Sequence, residues 1–297
     1  MPRNIQATVA WLAPGVFVVL WASGFIGARL GLPHVEPLTF LALRMAAVVV
    51  LLAGVIVVTR PRWPGRVAVG HSAVAGLLMH GGYLGGTFVA IGKGMPVGLT
   101  ALVVGLQPIL VSTLANRVLG ERVTPRQWGG LVLGVLGVYL IVQDKTGGSA
   151  GLGAWIAAVT ALLSITAGTL YQKRHGGEID WRPGLLVQYG AAGALFAAGA
   201  FLFETRVVSW TGELVFALAW LVLVLSLGAV WLLYFLIRRA AATRISSLFY
   251  LTPPTAAVMA WALFDQRLGP AAMVGMAVCA AAVFLVNAPS RTSGKTI

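Results

Sequence analysis

Charge is what this chain has least of. Only 10% of its 297 residues are Asp, Glu, Lys or Arg, where a soluble domain carries about a quarter, so most of the chain cannot be built for water. Acidic side chains are the scarcest, and all eight (Glu36, Glu121, Asp144, Glu178, Asp180, Glu204, Glu213, Asp265) fall at or beyond the ends of apolar runs. A carboxylate buried in the membrane, which proton-coupled exchange of cations needs, has no candidate here. The single cysteine, Cys279, excludes a disulfide framework and reads as a small packing residue. No spacing fixes Ser23 and His80 as a hydrolytic pair. No metal-ligand cluster or cofactor motif is read either, so no catalytic residue, metal or cofactor is expected. Alternating ten-residue segments, the mark of a membrane β-barrel, are also missing.

What fills the chain instead is apolar sequence in bilayer-length runs. A helix needs about 20 residues to cross a hydrocarbon core of about 30 Å. Such runs lie at 10–31, 37–58, 67–91, 96–117, 127–143, 151–172, 184–203, 214–236, 245–264 and 270–287, parted mostly by short polar turns. Backbone groups in lipid must be paired within the segment, so each run reads as a helix. The fold class is all-α integral membrane, with ten transmembrane helices. The first run is too long for a signal-peptide core and lacks a small-residue cleavage site, so no cleavable leader is expected.

The net charge of +13 invites a nucleic-acid reading, and its distribution argues against one. Counting the N-terminal side as one face, fifteen of the twenty-one basic residues sit on that face, loop after loop, from Arg3 and Arg60-Pro61-Arg62 to Arg238-Arg239 and Lys295. The other face keeps Arg29, Lys93, Lys145, Arg206 and Arg267, and Arg44 lies within a run. This is the positive-inside bias. It predicts a multi-pass protein of the inner membrane with both termini cytoplasmic, partnered by the lipid bilayer and not by nucleic acid. The oligomeric state is left open, with a monomer compatible.

Asp144 to Ala150 is the most linker-like stretch and divides the runs five and five. Residues 1–143 then form a first five-helix repeat, 144–150 a linker, and 151–297 a second repeat with a short cytoplasmic tail. A shift of 145 positions lays Leu119-Gly120-Glu121-Arg122 over Phe264-Asp265-Gln266-Arg267, and Pro108 over Pro253. Five being odd, the second half must enter the membrane in the opposite sense. Inverted repeats of this kind are the architecture of many secondary transporters.

Trp21-Ala22-Ser23-Gly24-Phe25, Arg44, and Gln107-Pro108 through Gly120-Glu121-Arg122-Val123-Thr124-Pro125-Arg126-Gln127-Trp128-Gly129-Gly130 carry a resemblance that spans essentially the whole chain. The sequence resembles the drug/metabolite transporter (DMT) superfamily, within it the EamA-type exporters, and more closely the YddG-like aromatic amino acid exporters. The resemblance implies ten helices in two inverted halves and export of small metabolites, amino acids above all. A nucleotide-sugar or sugar-phosphate exporter is the alternative. It would want several buried cations at mid-depth, where only Arg44 comes close. A membrane protein that passes no solute is the remaining reading.

In such a transporter the site lies near the bilayer midplane, between the repeats. Residues halfway along their runs are therefore candidates for a substrate cavity: Trp21, His80, Gln107, Ser164, Ser226 and the Thr252-Pro253-Pro254 group. At 100° per residue, His80, Tyr83 and Thr87 share one face within about 60°, while Gly81, Gly82, Gly85 and Gly86 take the other for close helix packing. His80 reads either as a substrate or gating ligand or as a histidine bonded to a neighbouring helix. Thr160, Ser164, Gly168 and Gln172 make one stripe, which lines the cavity or bonds back to its own helix. Trp21, Trp231, Tyr234 and Tyr250 could wall a substrate side chain or simply pack. Pro108, Pro253 and Pro254 break their helices at corresponding depths, as hinges or as fixed kinks. Arg44 could snorkel to the headgroups, pair a substrate carboxylate or brace the fold. The expected partner is an amino-acid-like small molecule.

Overall fold

The computed structural model describes residues 3–143, 150–177, 179–264 and 269–288. Most of the 144–150 linker, Asp265-Gln266-Arg267-Leu268 and the tail after 288 lie outside them. The described chain is helical, its one β feature an isolated bridge between Val35 and Val208. The first half holds α1 (Arg3–Gly31), α2 (Pro37–Thr59), α3 (Arg66–Gly76), α4 (Tyr83–Gly92), α5 (Val97–Val104), α6 (Gln107–Leu119) and α7 (Pro125–Val142). The second holds α8 (Leu152–His175), α9 (Trp181–Phe203), α10 (Gly212–Trp220), α11 (Val230–Arg239), α12 (Ala242–Ser247), α13 (Thr252–Phe264) and α14 (Pro270–Asn287). Several pair end to end, so that among the described residues nine stretches are long and apolar enough to cross a membrane. The tenth span is α12 and α13, joined through a 3-10 turn at Leu248–Leu251. Val57, Val58, Phe201, Phe203 and Phe284 face outward and exposed, whereas Arg44, His80, Gln107, Gln188 and Ser226 are buried. Apolar outside and polar inside is the arrangement lipid demands.

The repeat is visible in helix ends. An offset of 145 carries α6 onto α13 and α7 onto α14, residue for residue at both termini. The irregularities repeat as well. A π-helical segment, Leu77–Gly82, joins α3 to α4, and another, Leu221–Ala229, joins α10 to α11. Span four breaks at Gly105-Leu106 and span nine at the 3-10 turn. The segment that carries the family resemblance proves to be helix punctuation. Gly120 ends α6 in the left-handed conformation at φ 70°, where glycine is strain-free. Thr124 then starts α7 with both arms of a capping box to Gln127, and Pro125 occupies the first turn, where its missing N–H costs nothing.

Contacts between the halves follow the same symmetry. Two spans pack directly on their counterparts (α2 on α9, α7 on α14), and α1 meets α13 as α8 meets α6. The α7–α14 seam is the most extensive. A Cβ on Gly137 would stand 2.7 Å from Cys279 Sγ and 2.9 Å from the Gly275 carbonyl oxygen, and one on Gly275 2.6 Å from the Gly137 oxygen. Cys279 lies 145 positions after Gly134 and rests its thiol on the Gly134 carbonyl.

Overpacking a filled interface costs about 1–3 kcal/mol, and here the obstacle is backbone that cannot move aside. Gly137→Val should therefore lower the melting temperature and the yield of monodisperse protein in detergent. Gly129→Ala, whose added carbon meets nothing within 4 Å, should leave both unchanged. Equal behaviour of the two variants would show that the seam is not what fastens the halves.

Candidate substrate cavity

The π-helical segments decide where the polar side chains point. A π turn widens the helix by one residue and re-aims the side chains beyond it, which is why such segments recur at functional sites. In the first, His80 turns inward and its ring stacks on Tyr189 of α9, centroids 4.3 Å apart at 19°. In the second, Ser226 offers its hydroxyl to Arg44 Nε, which donates to it over 3.0 Å, and its carbonyl to the Tyr189 hydroxyl at 2.7 Å. One buried cluster thus joins α2, α9 and both π segments.

Beside it opens a cavity bounded by α1, α2, α4 and the π segments, lined by Trp21, Gly24, Phe25, Ala28, Arg44, His80, Tyr83 and Thr87 among others. It runs from His80, deep in its span, to Ile91 and Ala28, within a turn of the helix ends on the face opposite the arginine-rich loops. It is narrow, about 50 Å³, against about 300–1,000 Å³ for open small-molecule sites. Trp21 and Tyr83 stack nearly parallel at 6.3 Å along one wall. On the arginine-rich side the floor is sealed: Tyr234 donates to Gln188, whose amide donates to Gln172 at 3.4 Å, with Met79 Sδ 3.6 Å from the Tyr234 hydroxyl.

His80, Tyr83 and Thr87 line the cavity together, as their shared face suggests, and Trp21 joins them. The glycine face packs, splitting between two neighbours: Gly82 and Gly86 against α8, Gly81 and Gly85 against Leu195 and Phe196 of α9. Ser164 is elsewhere, pressed on Gly82, and Gly168 meets Met79, so that stretch of the α8 stripe is a packing face. Gln107 is buried below, donating to Thr169 Oγ1 at 3.3 Å. Tyr250 covers Gly134 in the α7–α14 seam, and Thr252 is buried at the start of α13, neither of them on the cavity. Pro108 sits in the first turn of α6, and Pro253 and Pro254 open α13. They follow the two breaks and cost the helices no interior hydrogen bond. Trp231 stacks on Phe235, 37% exposed, away from the cavity. Arg44 does not snorkel, being 2% exposed. Gln188 and Tyr189 were missed. Two adjacent polar-headed residues inside an apolar run are the signal that could have found them.

Against known proteins, the sequence matches the EamA-like transporter family twice, over residues 11–143 and 152–288. The chain belongs to that family. It is 25% identical to the uncharacterized transporter YvbV of Bacillus subtilis, over 97% of this chain and 95% of that one. It is 29% identical to a probable terminal-alkyne amino-acid exporter of Streptantibioticus cattleyicolor, over 94% and 92%. A probable amino-acid metabolite efflux pump of Escherichia coli is 30% identical, across only 53% of this chain and 51% of the pump. A crystal structure 19% identical in sequence superposes with a TM-score of 0.79, covering 94% of this chain and 96% of that one, and shares the fold. The protein is therefore a multi-pass membrane transporter.

His80 Nε2 is buried without a hydrogen-bond partner among the described residues, at the wall of a space where a solute could supply it. His80→Ala should cut transport about tenfold or more, the scale of one hydrogen bond to a charged group, with the melting temperature little changed. Tyr250→Phe removes another unpartnered buried hydroxyl, outside the cavity, and should leave transport intact. The reverse ranking in a proteoliposome flux assay would move the site to the seam.

Proposed function

We propose that this transporter exports small metabolites, amino acids foremost (aromatic and other neutral ones), by alternating access. The observation that carries the reading is the cavity at His80 and Tyr83, with aromatic walls and a few convergent polar groups, which must widen to admit an amino acid. The names of the efflux pump and of the alkyne amino-acid exporter support the substrate class. The arginine-rich face is the cytoplasmic one, by the positive-inside rule. The cavity then drains outward, and the Gln172–Gln188–Tyr234 floor closes it to the cytoplasm.

The helix breaks in spans four and nine are the hinges. Each lies just before a proline, whose ring crowds the preceding residue and holds the half-helices apart. A transporter needs two states within a few kcal/mol of each other. On the basic face the closing bonds are few. The Glu121 carboxylate accepts the Ala242 backbone N–H at 2.9 Å, and Lys173 Nζ donates to the Ile237 and Ala240 carbonyls at 2.7 and 2.5 Å.

Purified protein in liposomes should take up radiolabelled phenylalanine, leucine or threonine by counterflow, with a pH gradient across the membrane separating proton-coupled from facilitated movement. In a Cys279→Ser background, Thr87→Cys on the cavity wall should react with an impermeant thiol reagent from outside, and Trp63→Cys only from the cytoplasm. Pro108→Ala, or Pro253→Ala with Pro254→Ala, should shift the Thr87→Cys labelling and slow turnover. Labelling at Trp63→Cys from outside would invert the topology, and normal turnover in both proline variants would make the prolines fixed kinks.

A further inference from the structure

Arg44 is among the most deeply enclosed side chains in the protein, 2% exposed, and it borders the cavity. A guanidinium stays charged in any protein setting and offers five N–H donors in a planar fork. Burying such a charge is costly unless an anion or a full set of acceptors meets it. Here one donor is accounted for, Nε on Ser226 Oγ. No carboxylate answers the rest among the described residues, because each described acid is engaged elsewhere. Glu36 holds Thr205 and Arg206, Glu121 holds Ala242, Asp180 holds Arg182, Glu204 holds Leu38 and Thr39, and Glu213 holds His34.

The bond to Ser226 fixes the guanidinium from its Nε side. Among the described residues the two terminal nitrogens make no hydrogen bond, and they are the pair a carboxylate meets in bidentate fashion. Tyr83 and the unpartnered His80 Nε2 border the same space.

We infer that Arg44 is the anion-recognition point of the cavity, taking the carboxylate of the transported solute and so restricting export to carboxylate-bearing metabolites. The inference rests on the transport reading above and narrows it. With one cation and no acid lining the cavity, a zwitterion brings its own ammonium, which has the Trp21 and Tyr83 ring faces available to it. A simple amine would meet Arg44 with like charge and be rejected.

The test measures binding separately from flux. Protein in nanodiscs is titrated with L-phenylalanine, L-phenylalaninamide, phenethylamine and 3-phenylpropionate, following thermal stabilisation and displacement of radiolabelled phenylalanine. The expected order is phenylalanine first and phenylpropionate next, with the amide and the amine at least about tenfold weaker, as loss of a charge-assisted pair implies. Arg44→Gln should erase the acid-over-amide preference, and Arg44→Lys should keep the sign of the preference while reducing it. If Arg44→Gln does not fold, the wild-type ranking and Arg44→Lys still decide. Equal binding of acid and amide to the wild type overturns the inference, as does a folded Arg44→Gln that keeps the preference, or no binding by any of the four. Counterflow in liposomes judges the transport reading separately: flux that treats acid and amide alike sinks the carboxylate role and leaves amino-acid-sized export standing.

Discussion

Between the two faces of this molecule every polar group must find its partner inside the protein, because hydrocarbon offers none. That constraint makes the chain helical and then governs each departure from the regular helix. Pro37, Pro108, Pro125 and Pro270 stand in first turns, where a missing N–H goes unnoticed, while Pro14 lies inside α1. Threonines and serines in the spans return their hydroxyls to their own helix, as Thr87 does to the Tyr83 carbonyl and Ser112 to that of Pro108. Where helices must meet closely, glycine lets the backbones touch, as at Gly137 and Gly275. The few groups that escape this pairing therefore stand out. His80 Nε2 and the terminal nitrogens of Arg44 escape it beside the cavity, and the same physics that forbids them elsewhere makes them useful there.

Much of this was legible in the sequence, for reasons that also mark its limits. Run length gave the spans, since lipid thickness sets helix length, and the 145-residue offset emerged from Gly-Glu-Arg-Val-Thr-Pro because punctuation between helices is local chemistry. The inward face of His80, Tyr83 and Thr87 followed from helical periodicity. That reasoning lost its grip where a second helix decides. Ser164 lies at mid-depth and Gly82 lies opposite, so the serine became a packing residue. Tyr250 is aromatic and deep, yet Gly134 left a hollow that its ring fills. The π segments cannot be read from spacing at all. They arise from how α3–α4 and α10–α11 are held against their neighbours, and they decide that His80 reaches Tyr189 and Ser226 reaches Arg44. The alternative of a phosphorylated or nucleotide-linked cargo would call for several cations, and Arg44 is the lone cation lining the cavity.

The two ends of the molecule are fastened by opposite chemistry, and both fastenings use unpaired helix termini. On the basic face, Lys173 and Arg238 donate to carbonyls at the ends of helices and in the turn after α8, and Glu121 caps the start of α12. Each accords with the helix dipole, cations at the C-terminal end and a carboxylate at the N-terminal end. On the other face the connections after α1 and after α9 interlock through their acids. Glu204 accepts from the Leu38 and Thr39 backbone at 2.7 Å, and Glu36 accepts from Thr205 and Arg206. The Thr205 hydroxyl, first among its partners, holds the Glu36 carboxyl below its ordinary pKa. Such bonds can be broken and remade one at a time, with water replacing each partner. The glycine seam between α7 and α14 is different in kind, since its contacts are backbone on backbone and cannot be remade one at a time. A rigid seam between the repeats, with a polar clasp at either mouth, leaves the motion to the clasps.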